Sequence, residues 1–440
     1  MKATTRSRVS SEEQRSFEFA QDDGVNVVPS PKRKASRTIA RRHLPWETNY
    51  AAYSIDFAVA AVRELSRSSH ARIYDPFVGS GTTLEACASL GISSVGIELN
   101  PYSALLSRCR VALRADLPFV RRLLRDADRS IAADHAISAG GQVKYVLRRL
   151  SRKLNCEVGA VLSLLCRDAH GDFDSEVVAL VAALHAQKQR AQVHFRSNPA
   201  WLIAGESPDG GASEEHPWIF QALNIMDSLL SDLASRSAVK RPSSEVFATA
   251  FQAAPIRRGS IKRFLTSPPY LNRLDYINPT VPELTALGYE ATGDLDRLRV
   301  AMMGTNKMRR RELDYQGVSS KAASAFLEEV SSHSSKASAT YYKKFFQQYF
   351  MDLNEFMRWL DFHASTDARG ILVIQDSFYK EIKIPIVEIF SQIAADANFI
   401  VTVANAEARS RHMGSISPHQ RAHAPRKELT EYTLVFERGQ

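Results

Sequence analysis

Two short segments hold the residue types from which chemistry can be built. Asp75-Pro-Phe-Val-Gly-Ser-Gly-Thr-Thr83 joins a carboxylate to Gly79 and Gly81, which let a main chain approach a bound molecule closely. Thr266-Ser-Pro-Pro-Tyr270 joins hydroxyls, two prolines and an aromatic ring. A triphosphate-cradling loop needs Gly-Lys-Ser or Gly-Lys-Thr, yet Thr82 follows Gly81; a dinucleotide fingerprint needs a third glycine where Leu84 stands. Asp75 would repel a pyrophosphate but welcome a sulfonium or an amino group. The first segment therefore reads as a pocket for an adenosyl-methionine cofactor. Glu98, seventeen residues past Gly81, offers a carboxylate to both ribose hydroxyls.

The second segment suits an exocyclic amine on a nucleobase. Such an amine is a poor nucleophile while its lone pair is shared with the ring, and acceptors for its two protons draw that pair out. Ser267 Oγ and the Pro268 carbonyl are those acceptors. Pro268 and Pro269 fix φ and carry no competing N–H, and Tyr270 supplies a flat face, a stacking contact worth about 1–3 kcal/mol per base. The base must first leave the duplex, at a cost of roughly a few kcal/mol. Neither a metal nor a covalent intermediate is required. Methylation at a ring carbon would need a thiolate, usually presented after proline; Cys87, Cys109, Cys156 and Cys166 follow Ala86, Arg108, Asn155 and Leu165 instead.

These residues need strands and helices to place them. Apolar spacing predicts a helix over 55–65, a short strand over 71–74 leading into Asp75, a helix over 84–90 capped by Gly91, and a strand over 94–98 ending at Glu98. From 110 to 240 the pattern is largely helical, with an exposed loop at 205–213. One helix there, 143–154, turns Val143, Val146, Leu147, Leu150 and Leu154 to one face and Lys144, Arg148, Arg149, Arg152 and Lys153 largely elsewhere; a solvated face is the plainer reading and a DNA contact the other. Strands return at 246–250, 261–265, 370–374, 399–403 and 431–436, with an aromatic-rich core helix at 342–360. Alternating strands and helices predict one open, mostly parallel sheet with helices on both faces, whose ligands bind beyond the strand carboxyl ends. Asp376 falls on that rim, where it assists proton removal, orders a loop or caps a helix.

Asp75–Thr83, Gly96-Ile-Glu-Leu-Asn-Pro101 and Thr266–Tyr270 together resemble the DNA amino-methyltransferases that modify cytosine N4 or adenine N6, over roughly residues 46–110 and 245–437. The resemblance implies an α/β, Rossmann-like S-adenosylmethionine-dependent methyltransferase fold: a seven-stranded, mostly parallel sheet with a reversed last hairpin, bearing a helical insertion. It implies S-adenosylmethionine as donor, with Asp75, Pro76, Phe77, Gly79, Gly81 and Thr82 around it and Glu98 on its ribose. Ser267, Pro268, Pro269 and Tyr270 become the catalytic clamp, in the version usually associated with cytosine N4. Two departures stand out. Asn49-Tyr-Ala-Ala-Tyr53 matches the upstream cofactor element only loosely, and no acid follows Val246–Ala250 where one often touches the adenine.

The expected organisation is a basic, unfolded tail over 1–43, a catalytic domain over 44–110 and 245–440, and a helical insertion over 111–244 that is a candidate DNA-recognition region. Lys and Arg number 57 against 48 Asp and Glu, a net charge of +9 that suits a polyanion. Pro31–Arg42, with six basic residues and no acid, and Gly304–Arg311 are candidate phosphate contacts or solvated runs. With no apolar signal core or membrane-length run, and no metal-ligand spacing of cysteine or histidine, the expectation is a cytoplasmic, nucleoid-associated protein that uses no metal and meets no membrane. Double-stranded DNA is the expected partner and a cognate restriction endonuclease a further candidate. Adenine-N6 methylation, RNA amino-methylation and a non-catalytic nucleic-acid-binding role are the competing readings.

Overall fold

The computed structural model describes residues 53–67, 69, 71–112, 115–132, 140–190, 193–195, 202–204, 218–234, 242–272, 274–307, 320–409 and 429–439. The basic tail, Asn49–Ala52, the loop at 205–213 and the 308–311 end of the second basic run lie outside them.

Helix α1 (Ile55–Ser66) begins where the Ser54 hydroxyl accepts the Phe57 N–H at 3.2 Å, and it buries Phe57, Ala58, Ala61, Val62 and Leu65. Strand β1 (Ile73–Asp75), helix α2 (Thr82–Ser89), strand β2 (Ser94–Glu98) and helix α3 (Pro101–Cys109) follow. Proline opens α3, where its missing N–H costs nothing, and the Asn100 side chain accepts from the Tyr102 N–H at 3.1 Å. Helices α4 (Leu117–Ala132), α5 (Gly141–Leu154), α6 (Val161–Arg167), α7 (Asp174–Arg190) and α8 (Trp218–Ala234) fill the middle of the chain. A small antiparallel pair, β3 (Val193–Phe195) with β4 (Leu202–Ala204), interrupts them; three-residue strands leave too little alternation to be read from sequence.

Strands β5 (Ser244–Ala248) and β6 (Ile261–Thr266) return to the main sheet, followed by helices α9 (Val281–Ala286), α10 (Asp294–Ala301), α11 (Lys321–Ser332) and α12 (Lys343–His363). The chain continues as β7 (Ala364–Gln375), the hairpin β8 (Phe378–Tyr379) with β9 (Ile382–Lys383), α13 (Ile386–Asp396), β10 (Phe399–Arg409) and β11 (Leu429–Arg438). Both β7 and β10 run longer than their apolar stretches predict. Their extra residues, including Arg369 and Asn405, are paired to neighbouring strands by backbone hydrogen bonds that need no apolar side chain.

The main sheet has seven strands in the order β10-β11-β7-β6-β1-β2-β5. The pairs from β7 through β5 are parallel, and β11 runs antiparallel to both of its neighbours. Alternate residues serve opposite faces. Ile73, Leu265, Ile371 and Val373 meet α1, while Val95, Phe264, Leu372 and Phe436 meet the layer of α11, α12 and α13. A third core joins Val78, Leu84 and α3 to the helices between 117 and 233. Arg108 of α3 seals that junction: fully buried, its guanidinium reaches Asp168 at 3.0 Å and Asp174 at 2.9 Å.

Candidate active site

Strand order reverses between β1 and β6, and both segments singled out in the sequence end there. The two strands are parallel neighbours, with Ile73 beside Arg263 and Tyr74 beside Phe264, so Asp75 and Thr266 emerge on one rim. Thr266 Oγ1 donates to Asp75 Oδ1 at 2.7 Å, and the Phe77 N–H donates to the same oxygen at 3.1 Å. Thr83 and Tyr53 hydroxyls occupy the other oxygen. Asp75 is thus turned inward, 2% exposed, and works as the peg on which the loop hangs rather than as an open face of the pocket. Burial pushes its carboxyl up to about 6, and the hydroxyl and N–H donors restrain the rise.

Above the peg, the loop 76–81 folds toward β2. The Val78 N–H donates to the Ile97 carbonyl at 3.1 Å and the Gly79 N–H to Glu98 Oε2 at 2.9 Å. Gly81 has φ of 93°, and a Cβ there would stand 2.7 Å from Ser107 Cα, so only glycine lets α2 and α3 close together. Glu98, half-buried, also accepts the Asn100 N–H at 2.9 Å; burial raises it to about 7 while these N–H groups pull the other way. Pro76 is buried beneath the loop. Thr82 Oγ1 accepts from Arg110 at 2.9 Å, and Arg110 is paired with Glu85 at 3.2 Å. Phe77, half-buried, meets Phe251 and Phe356 edge-on at 5.7 and 5.0 Å, making an apolar wall at the tip of β5, where no carboxylate stands.

Across the rim, Ser267 Oγ donates to the Val373 carbonyl at 3.0 Å. With its proton committed to β7, the oxygen can only accept from a further partner, which is the polarity an amino group requires. Ser267 Oγ also lies 3.3 Å from the Tyr270 hydroxyl. Pro268 is buried and Pro269 half-buried, and the Pro269 carbonyl takes a 3.0 Å hydrogen bond from Tyr349 of α12. Burial drives the Tyr349 hydroxyl far above its ordinary value, so it stays a donor. Tyr270 is 6% exposed, its N–H donating to the Tyr276 hydroxyl at 3.3 Å, so its ring is largely covered by the protein itself.

Asp376 sits on this rim but is not a helix cap. Oδ1 accepts the Thr430 N–H at 2.7 Å and Oδ2 pairs with Lys383 at 2.9 Å, so it fastens β7 to β11 and to the β8–β9 hairpin. The segment leaving the clamp is fastened too. Asn100 Nδ2 donates to Thr280 Oγ1 at 2.7 Å, and Lys188 of α7 reaches Glu283 at 2.8 Å and the Pro279 carbonyl at 3.1 Å. Sequence reasoning missed Tyr53, Thr83, Thr266, Phe251 and Tyr349 as site residues. A signal existed for three of them, because Tyr53 lies in the loosely matching upstream segment and Thr83 and Thr266 lie inside the two motifs.

Among the described residues no cluster of His, Cys, Asp and Glu could hold a metal ion, and no helix is long and apolar enough to cross a membrane. Residues 46–107, which include the glycine loop and Glu98, match the N6/N4 family model described as DNA methylase. The chain is 39% identical over 54 residues to the Type II methyltransferase M.MjaII of Methanocaldococcus jannaschii, covering 12% of this chain and 10% of that one. It is 41% identical over 82 residues to M.AvaI of Nostoc sp., covering 18% and 17%, and 25% identical over 298 residues to M.BsoBI of Geobacillus stearothermophilus, covering 60% and 57%. Over the stretch that holds the glycine loop and Glu98, the chain is similar to the DNA amino-methyltransferases. The matches span from a tenth to little more than half the length of these relatives. The family-model match ends well before Thr266–Tyr270, so that segment is described by its own geometry alone. No solved structure matches the chain.

Proposed function

We propose that this protein is a Rossmann-like, site-specific DNA methyltransferase that transfers a methyl group from S-adenosylmethionine to N4 of a flipped cytosine. The observation that carries the reading is the hydrogen bond from Thr266 to Asp75, which sets the glycine loop and the Ser267 clamp side by side at the strand-order reversal.

The pocket fits the donor. Half-buried Gly79 leaves main chain free of side-chain bulk, Gly81 lets α2 close beneath it, half-buried Glu98 would meet a ribose diol, and Phe77 with Phe251 forms a wall against which adenine would lie. When bound, S-adenosylmethionine supplies an electrophilic methyl group. The chain's own residues prepare the amine. Ser267 Oγ and the Pro268 carbonyl accept its protons, Val373 holds the Ser267 proton away, and Tyr349 steadies the peptide group after Pro269. Such marking suits restriction-modification, with a cognate restriction endonuclease as partner.

The test is sequencing of DNA from cells making the protein, read so that 4-methylcytosine and 6-methyladenine are distinguished. We expect 4-methylcytosine in one sequence context. A Ser267→Ala protein should lose the mark by about a hundredfold or more in rate while binding S-adenosylmethionine as before. A 6-methyladenine mark would move the target to adenine, and an unchanged mark in Ser267→Ala would remove Ser267 from the clamp.

A further inference from the structure

We infer that the outer face of α4 and α5 is a docking surface for the phosphodiester backbone of the duplex that flanks the target base; this rests on the DNA reading above. Helix α4 presents four exposed arginines between positions 121 and 129, and α5 presents five exposed basic residues between 144 and 153 with no acid in the helix. Solvated helix faces usually alternate sign. Here Arg121 pairs with Asp227 and Lys153 with Glu176, whereas Arg122, Arg125, Arg148, Arg149 and Arg152 have no ion pair among the described residues.

The two helices also form a shaped recess. A cleft of about 330 Å³ between them is lined by Phe119, Arg122, Asp126, Arg149, Arg152 and Lys153, with the Lys153 ammonium 4.0 Å from the Phe119 ring centre. Four cations around one acid make a site for an anion, and guanidinium forks match phosphate oxygens in pairs. The opposite faces are locked: Val143, Val146, Leu147 and Leu150 are buried in the core shared with α3, so the basic side chains stand on a fixed platform.

Position supports the same partner. Gly140, which opens α5, packs so closely on Ala286 of α9 that a side chain there would come within 3.3 Å of its main chain, and α9 follows the segment that leaves the clamp. From that point α5 extends about 21 Å. A nucleic-acid strand places one phosphate per ~3.4 Å, so the helix spans roughly six of them.

The test uses the full-length protein and its Arg122→Ala/Arg149→Ala/Arg152→Ala variant, titrated with labelled 12- and 30-base-pair duplexes from 50 to 200 mM salt. Wild type should favour the longer duplex. The variant should bind it on the order of tenfold or more weakly at low salt, with a slope of log affinity against log salt smaller by about 2–3, at roughly 0.9 per lost phosphate contact. Its thermal midpoint and S-adenosylmethionine affinity should not move. Arg149→Gln alone, with a slope smaller by about 0.9, serves if the triple variant does not fold. Equal slopes and affinities for wild type and variant overturn the docking surface and leave the methyltransferase reading standing. Wild type that binds neither duplex overturns that reading, and the surface with it.

Discussion

Thr266 gives its hydroxyl proton to Asp75 across 2.7 Å, and this bond ties the strand that carries the clamp to the strand that carries the glycine loop. Replacing Thr266 by valine keeps the shape and removes the donor. Asp75 Oδ1 then keeps only the Phe77 N–H, and the loss of a hydrogen bond to a buried carboxylate should cost about 1.5–3 kcal/mol in denaturant unfolding. Thr266→Ser should restore most of it, and S-adenosylmethionine affinity should fall and recover in parallel.

Glu98 gives the site a pH dependence whose sign is fixed by its environment. Burial raises its carboxyl to about 7 from an ordinary 4.5. Between those values the folded state holds a proton that the unfolded chain has released, so this group's contribution to stability is full below pH 4.5 and is lost as pH rises through 7. The thermal midpoint of wild type, measured against Glu98→Gln, should therefore decline from pH 4.5 to 8. If Glu98 holds the ribose as proposed, donor binding should run the other way, because the ionised form is the better acceptor: about tenfold weaker at pH 6 than at pH 8 in wild type, and flat in the glutamine variant.

Tyr349 reaches the clamp from α12 through the Pro269 carbonyl. Tyr349→Phe removes that donor without changing the ring. Methyl transfer should slow by about ten- to a hundredfold through loosened positioning, with S-adenosylmethionine affinity unchanged in calorimetry. An equal fall in both would assign Tyr349 to general packing instead.

Arg108 is the buried cation between α3 and the helices that follow. Arg108→Met strands Asp168 and Asp174 in the interior and should destabilise the protein by about 3–5 kcal/mol. Hydrogen exchange should accelerate first in α6 and α7, where those carboxylates anchor.

The strand tips are legible in the sequence because each ends an apolar run in a residue type that strands reject: Asp75, Glu98 and the Ser267-Pro-Pro-Tyr270 turn. Gly79 and Gly81 are legible for a related reason, since φ of 52° and 93° excludes most other residues. Neighbourhood across the sheet is not written in any local pattern. Nothing near Thr266 announces Asp75 as its partner, and the inward turn of Asp75 depends on Tyr53, Thr83 and Thr266 arriving from three separate stretches. Asp376 shows the same limit: a carboxylate after a strand reads as a catalytic group or a cap, and only the pairing of β7 with β11 reveals a fastener. The shared core beneath α4–α8 is likewise invisible to periodicity, which reports that a helix has a buried face and not what lies against it.

Strand β11, from the far end of the chain, lies between β7 and β10 and not at an edge. Until it slides into place, β7 and β10 face each other across a gap one strand wide, and Asp376 waits for the Thr430 N–H that anchors it. Assembly must accordingly leave this slot open until β11 is available, with two bare ladders exposed to stray pairing. The rim at the end of β7 is therefore completed only when β11 inserts and Asp376 gains its partner.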